Sequence, residues 1–110
     1  MAIVTLLVPA DLPPTTADRL VIEVRDVSQL DAPSVVVTSR VLDGVRLEPG
    51  ARLQVSLDVP SAPPGHTYGL RVHADIAGTG AVSPGDLLNT QAHPVPDASS
   101  ATVEIPLARV

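Results

Sequence analysis

The chain has 110 residues, a formal net charge of −5, no cysteine and a single aromatic residue, Tyr68. An acidic chain with so few aromatic residues argues against a nucleic-acid or anionic-membrane partner, because such partners select basic and stacking side chains. Without cysteine it has no disulfides, thiol nucleophiles or thiolate metal sites. Its length and its 45% hydrophobic content predict one domain, residues 1–110, with an aliphatic core.

Seven short segments alternate between apolar and polar residues or are apolar throughout, and turn-forming residues separate them. The predicted strands, in chain order, are residues 2–8, 20–26, 34–42, 52–59, 66–77, 86–91 and 101–110. The first is apolar at both parities, which indicates a strand covered from two sides. In the second, Leu20, Ile22 and Val24 alternate with polar residues, which predicts one buried face and one solvated face.

The third predicted strand ends at an ambiguous turn. Asp43-Gly44 is a dipeptide typical of hairpin turns, but residues 45–47 could extend the strand or begin a second short one. Residues 48–51 (EPGA) form a strong turn, because proline presets φ and glycine tolerates positive φ. The strand after this turn has the cleanest alternation in the chain.

The last predicted strand contains Pro106, which has no N–H to donate to a ladder. We therefore expect this strand at a sheet edge, or bulged where Pro106 lies. No helical periodicity longer than one turn is present. The whole pattern predicts an all-β fold, a single-domain antiparallel Greek-key β-sandwich of seven to eight strands.

Polar residues follow the second predicted strand. Asp26, Ser28 and Asp31 could form a carboxylate pair with a hydroxyl between them, as metal binding or acid–base chemistry requires. Alternatively, these side chains cap backbone N–H groups in a turn, which Asp and Ser commonly do. A cation normally gathers more oxygen ligands than this stretch offers, so we favour the capping role.

The polar segment after the second predicted strand belongs to a longer motif. Residues 24–28 (VRDVS), followed by 31–33 (DAP), are similar to the L-x-D-V-S-x-x-D-A-P-A signature of a known family, the YbaY/YscW family of bacterial lipoproteins. Residues 68–76 resemble its Y-x-L-x-A-x-I pattern, and residues 85–95 resemble its G-x-L-L-F-T-N-x-x-x-P-V segment. The resemblance covers about residues 19–110. The matching positions for which we expect a structural role are Asp26, Val27, Ser28, Asp31, Ala32, Pro33 and Tyr68.

The resemblance implies a small β-sandwich and, for the best understood members, the role of a pilotin. Pilotins are lipid-anchored chaperones that bind a secretin subunit of type III secretion and deliver it to the outer membrane. This sequence departs from the family in lacking a signal peptide and a lipidated cysteine, and the family's late Phe is replaced near Leu88-Asn89. We expect a cytoplasmic protein if Met1 is the native start, and a bacterial envelope protein if a lipoprotein signal was trimmed.

The histidines provide an alternative hypothesis. His73 and Asp75 are two residues apart, so they share the predicted outward face of one strand. His93, in a nearby predicted loop, could complete a three-ligand metal site. No H-x-x-x-H or comparable spacing accompanies them. The alternative function is therefore a metal- or small-ligand-binding protein that uses these surface residues.

No catalytic signature is present in the sequence. No glycine-rich phosphate loop opens a helix, and no serine lies in a nucleophile elbow. A hydrolase would need a concave pocket in which a hydroxyl contacts an imidazole. We expect a protein that is not an enzyme and needs no cofactor. The apolar run 2–8 is too short to span a bilayer, so we expect no direct membrane insertion.

Apolar residues opposite the predicted core suggest a contact surface. They form the pairs Ile3/Leu7 and Val21/Val36. A partner groove, a homodimer contact or a second buried layer would each account for them, and valine-rich edge strands can accept a partner strand. The leading hypothesis is a noncatalytic, chaperone-like module that binds a secretin-like or other envelope protein, or that self-associates.

Overall fold

The computed structural model describes residues 2–28, 35–60, 62–89, 93–94 and 102–110, and every regular element among them is a β-strand. In chain order the strands are β1 (Ala2–Leu7), β2 (Thr15–Asp26), β3 (Val35–Leu47), β4 (Arg52–Leu57), β5 (Tyr68–Asp75), β6 (Leu87–Asn89), β7 (His93–Pro94) and β8 (Thr102–Arg109). The prediction of an all-β chain is confirmed.

The strands follow one another in a single hydrogen-bonded path, in the order β3-β2-β5-β6-β8-β1-β4, with β7 also paired to β5. The pairings are antiparallel except that β1 lies parallel to β8. The two ends of the path, β3 and β4, are joined by the short segment 48–51, so the sheet curls into a nearly closed barrel. The predicted antiparallel Greek-key sandwich is therefore corrected to one mixed, barrel-like sheet.

The position of Pro106 differs from the prediction. β8 is not an edge strand: residues 102–106 pair with β1, and residues 107–109 pair with β6. Pro106 is the last residue of β8 that pairs with β1. Its missing N–H therefore lies where the pairing with β1 ends and the pairing with β6 begins. The strand can therefore lie inside the sheet despite its proline.

β2 and β3 are longer than predicted because both continue through a change of face. The buried residues of β2 step by three positions from Ala17 to Leu20 and then alternate. Across the ladder from this break, Gly44 has a φ of 61°, a left-handed conformation that suits glycine. Of the alternatives for Asp43-Gly44, the structure shows the extension of the strand through residues 45–47. The glycine lets β3 reverse which side faces the core and continue to its end.

The core is aliphatic and draws on all the longer strands. Leu20, Ile22 and Val24 of β2 are fully buried, as their alternation predicts. The other fully buried aliphatic residues are Val4, Leu6, Ala17, Leu47, Val72, Ala74, Leu87 and Ile105. Burying one leucine, isoleucine or valine side chain contributes roughly 1.5–3 kcal/mol. The barrel therefore needs no aromatic centre, and Tyr68 packs only at its margin.

Candidate functional site

The motif that resembles the YbaY/YscW signature lies at the end of β2, where Asp26 joins two segments. Asp26 Oδ1 accepts hydrogen bonds from the Ser28 backbone N–H, at 3.1 Å, and from the Ser28 hydroxyl. Asp26 Oδ2 lies 2.6 Å from His66 Nδ1, in the loop before β5. Beside them, the Val27 N–H donates to the Thr67 carbonyl at 2.8 Å. These contacts hold the end of β2 against the start of β5.

The hydrogen bonds lower the pKa of Asp26 from 3.8 to about 2. The Ser28 hydroxyl makes the largest contribution, the His66 ring the next, and the Ser28 backbone N–H the third. Each donor favours the ionised carboxylate over the neutral acid. Asp26 is therefore ionised at neutral pH and accepts hydrogen bonds without donating any.

Asp26, Ser28 and His66 supply the three groups of a hydrolase triad, but in a different arrangement. In a triad the carboxylate and the hydroxyl contact opposite nitrogens of the imidazole ring. Here both approach Nδ1, with Asp26 Oδ2 at 2.6 Å and Ser28 Oγ at 3.5 Å. Because the hydroxyl donates to Asp26, the ring is not placed to take its proton. The geometry is that of a capped turn.

The other motif residues take less specific places. Tyr68 lies opposite Asp26 in the β2–β5 ladder, and its side chain is half-buried against the core. Val27 is exposed beyond the end of β2. The remaining motif positions, Asp31, Ala32 and Pro33, lie outside the described residues.

A second histidine–aspartate pair lies at the other end of β5. His73 Nε2 is 2.8 Å from Asp86 Oδ2. Asp86 also accepts hydrogen bonds from the backbone N–H groups of Ile76, at 3.0 Å, and Ser83, at 3.0 Å. Burial raises the pKa of Asp86, but the hydrogen bonds from His73, Ile76 and Ser83 outweigh burial and leave the pKa lowered. The carboxylate is therefore ionised inside the protein, and Nε2 carries the proton it shares.

Asp75 organises the loop that follows β5. Its Oδ1 accepts from the N–H groups of Gly78 and Thr79, and its Oδ2 accepts from Gly80. Gly78 has a φ of 72°, and a Cβ at this position would collide with the Asp18 carboxylate of β2. The loop therefore passes so close to β2 that only glycine fits there.

The predicted metal ligands are partly brought together, in a different environment. His73 and Asp75 do not form an open outward surface: Asp75 is buried and the His73 side chain is 12% exposed. With Asp86 they place three candidate ligand atoms within 4.8 Å of one another. His93 pairs through its backbone with Leu70, three positions from His73 along β5. The structure does not describe the His93 side chain.

The electrostatics of this cluster favour a structural role over ion binding. The two carboxylates accept five backbone N–H groups and one ring N–H. A cation would have to lie against the positive ends of these N–H dipoles or displace them. The cluster thus holds the loop 76–86 onto β5. Sequence reasoning missed Asp86, which it treated as the start of a weak strand. The turn residues before it, Pro84 and Gly85, were the available signal.

Asn89 completes the ladder along β5 with its side chain. The Val72 N–H donates to Asn89 Oδ1 at 3.0 Å, and Asn89 Nδ2 donates to the Leu70 carbonyl at 3.0 Å. β6 pairs with residues 73–74 of β5, and β7 pairs with residues 69–70. The amide therefore satisfies backbone groups of β5 between its two short partners. This residue belongs to the late segment in which the family's Phe is replaced.

The predicted apolar surface pairs are partly exposed. Ile3 is 38% and Val36 43% exposed, whereas Leu7 and Val21 are half-buried. β3 carries further exposed valines that the prediction did not single out. We call the set Val35, Val36 and Val41 the β3 valines; they are 67%, 43% and 50% exposed. Large exposed aliphatic residues concentrated on one edge strand are typical of a contact surface.

β3 and β4 form the two edges of the sheet and face each other without pairing. Among the described residues, no backbone hydrogen bond joins them. One side-chain contact crosses between them: Arg40 Nη1 of β3 donates to the Ser56 carbonyl of β4 at 2.7 Å. We call this opening the β3–β4 gap. An edge with free N–H and C=O groups can pair with another extended chain.

The chain resembles a solved pilotin structure. No protein-family model and no curated protein matches the sequence. Among solved structures it is similar to an alternative pilotin from the type II secretion system of Vibrio cholerae, with a TM-score of 0.67 and 17% identity, covering 98% of this chain and 96% of that chain. At this identity the similarity concerns the fold, and it establishes a pilotin-like all-β architecture over nearly the whole chain.

The described residues contain no helix of the length and apolarity needed to cross a membrane.

Proposed function

We propose that this chain is a noncatalytic protein-binding module of the pilotin type, whose partner is a secretin subunit or another envelope protein. The observation that carries the proposal is the match in fold to a type II secretion pilotin over nearly the full length of both chains. The β3 valines and the β3–β4 gap supply exposed apolar and backbone groups that a protein partner could cover.

Membership of the YbaY/YscW family is the finer part of the proposal. It is supported by Asp26, Val27 and Ser28, which reproduce part of that family's signature and join β2 to β5. On this proposal the motif maintains the shape of the binding module and does not itself contact the partner. A lipid anchor and delivery to the outer membrane would follow if a lipoprotein signal precedes residue 1 in the natural protein.

A binding experiment with defined components tests the proposal. The purified chain is titrated with overlapping segments that together cover each secretin subunit from its own organism, and heats of binding are recorded. We expect one secretin segment to bind at micromolar concentration or below, and a scrambled segment of the same composition not to bind. Failure of every secretin segment to bind contradicts the secretin role.

Self-association is the competing partner for the same surface. Sedimentation measured over a hundredfold range of chain concentration separates the two. A monomer at all concentrations that binds a secretin segment supports the proposal. A concentration-dependent dimer that loses affinity for the segment as it forms would instead assign the β3 valines to a self-contact.

A further inference from the structure

No ladder closes the sheet between β3 and β4 in the part of the chain that the structure describes. Neighbouring strands in a ladder lie about 4.8 Å apart, with N–H and C=O groups in direct contact. Here the Ser56 carbonyl of β4 accepts a hydrogen bond from the side chain of Arg40 and not from the backbone of β3. The segment 48–51 joins β3 to β4 at one end, and the gap lies beyond it.

The β4 side of the gap offers backbone groups in a regular pattern. In an antiparallel ladder, alternate residues direct both their N–H and their C=O away from the paired neighbour. The Ser56 carbonyl accepts Arg40, so Ser56 belongs to the set directed away from β1. Gln54 has the same parity and belongs to it as well. β4 can therefore pair with an incoming strand at Gln54 and at the Ser56 N–H, and the Ser56 carbonyl joins this ladder once Arg40 turns from it to another acceptor.

Arg40 gives the gap a charge preference. It lies opposite Ile22, a fully buried residue, so it projects from the core-facing side of β3. Four other arginines of the described region each lie within 4.0 Å of a glutamate: Arg25, Arg46, Arg52 and Arg71. No described carboxylate lies within that distance of Arg40, which donates to a neutral carbonyl. A carboxylate would be a stronger acceptor for its guanidinium.

We infer, on the basis of the proposed protein-binding function, that the β3–β4 gap receives an extended segment of a partner protein as an additional strand. The incoming strand pairs with Gln54 and Ser56 of β4 and with the edge of β3 that is unpaired among the described residues. It places a carboxylate, from an acidic residue or a chain terminus, against Arg40. Its apolar residues cover the β3 valines.

A second copy of this chain fits the gap less well than a partner peptide. Each copy carries a net charge of −5, so two copies repel each other over their whole surfaces. Symmetric pairing of two β3 edges about Arg40 would also bring two Arg40 side chains together. We therefore assign the incoming strand to another protein.

The test begins with a library of random peptides about ten residues long, the length of a long strand. The full chain serves as bait, and enriched peptides are synthesised with a fluorophore for anisotropy titrations. We expect enriched peptides to alternate apolar and polar residues around one carboxylate. Arg40→Glu should weaken their binding about tenfold, and Arg46→Glu, in the same strand next to segment 48–51, should leave it unchanged. Replacing the peptide's acidic residue with its amide should reproduce the Arg40→Glu loss.

Hydrogen exchange of single amides, followed by NMR, identifies the binding edge. On peptide binding, the Gln54 and Ser56 amides should gain protection, whereas the Val55 amide, which is directed toward β1, should not change. Enriched peptides that leave Gln54 and Ser56 unprotected overturn the inference, as does a library that yields no binding peptide. The inference is also overturned if peptides of any charge bind Arg40→Thr more strongly than wild type. Arg40 would then only block strand pairing at this edge.

The same variants separate this inference from the proposed function. Suppose that a secretin segment binds, that Arg40→Glu does not weaken this binding, and that the Gln54 and Ser56 amides gain no protection. The partner role then stands and the strand-insertion inference fails. If acidic strand-like peptides enter the gap but no secretin segment binds, the inference stands and the secretin role fails.

Discussion

The described part of the chain contains two histidine–aspartate pairs, one at each end of β5, and they differ chiefly in burial. The ring nitrogen and the carboxylate oxygen are 2.6 Å apart in His66–Asp26 and 2.8 Å apart in His73–Asp86. The side chains of the first pair are 43% and 22% exposed, and those of the second pair 12% and 1%. Water can replace a lost partner in the first pair but not in the second. The two pairs have similar geometry, but we expect the buried pair to contribute more to the free energy of unfolding.

The two pairs also differ in what they hold. Asp26 caps one turn and touches one loop, so its loss frees a few groups that reach solvent. Asp86, with Asp75 beside it, gathers backbone N–H groups from the whole segment 76–86. A buried carboxylate that many backbone donors share stabilises a loop conformation that its sequence alone would not hold. We therefore expect the β5–loop end to control stability and the Asp26 end to tolerate change.

The largest effect is expected from Asp86→Ala. The change leaves His73 and the Ile76 and Ser83 N–H groups without their acceptor in a buried place, and it should lower the free energy of unfolding by about 4 kcal/mol. Urea denaturation followed by circular dichroism measures the loss. Asp58→Ala, at an exposed carboxylate, is the control and should change stability by less than about 0.5 kcal/mol. Equal losses in the two variants would contradict the difference drawn between the ends of β5.

Gly78→Ala tests how closely the loop approaches β2. The new Cβ must take a left-handed backbone conformation and collide with the Asp18 carboxylate, so we expect a loss of about 3 kcal/mol. Gly80→Ala is the matched control, because Gly80 also has positive φ but has open space around it, and it should cost about 1 kcal/mol. Adding Asp18→Ala to Gly78→Ala should recover the collision part. No recovery would show that the loop is not held against β2.

Asn89→Ala examines the middle of β5, between the two pairs. It removes the acceptor of the Val72 N–H and the donor to the Leu70 carbonyl, so a loss of about 2 kcal/mol is expected. Asn89→Asp keeps an acceptor for the Val72 N–H but sets a carboxylate oxygen against the Leu70 carbonyl, so it should also lose stability. If the loss of stability in Asn89→Ala is local, hydrogen exchange of the Val72 amide should be faster in that variant than in wild type. In Asn89→Asp it should be faster to a smaller extent. Unchanged exchange would mean that the side chain is not part of the ladder.

The sequence predicts the strands that fill the core better than it predicts how they pair. Alternation identifies the buried faces of β2 and β5 because side-chain direction follows directly from a period of two. It does not reveal that β1 lies parallel to β8, since that pairing joins the two ends of the chain. The extension of β3 through Gly44 remained one of several alternatives, because Asp-Gly is as suited to a turn as to a left-handed residue inside a strand.

The candidate sites were predictable only where their partners are close in sequence. Capping by Asp26 and Ser28 is a local property of an Asp-x-Ser segment, so residue types suffice to suggest it. The contacts of Asp86 with His73 and of Arg40 with Ser56 depend on how distant segments come together. His73 and Asp75 could be grouped from the sequence because they are two residues apart. Their burial follows from the loop that folds over them, and periodicity gives no information on such loops.

The smallest effect is expected from Asp26→Asn, and its pH dependence gives it a distinct signature. The folded-state pKa of Asp26 is about 2, below the ordinary 3.8, so folding favours the ionised form. The stabilisation is therefore fully present above about pH 4 and is lost as the pH falls through about 2. Urea midpoints at pH 7, 4 and 2 should show wild type slightly more stable than Asp26→Asn at the first two values, with most of this difference lost at pH 2, where Asp26 is half protonated in the folded chain. A difference that is undiminished at pH 2, or one as large as that of Asp86→Ala, would show that solvent does not replace the contacts of this pair.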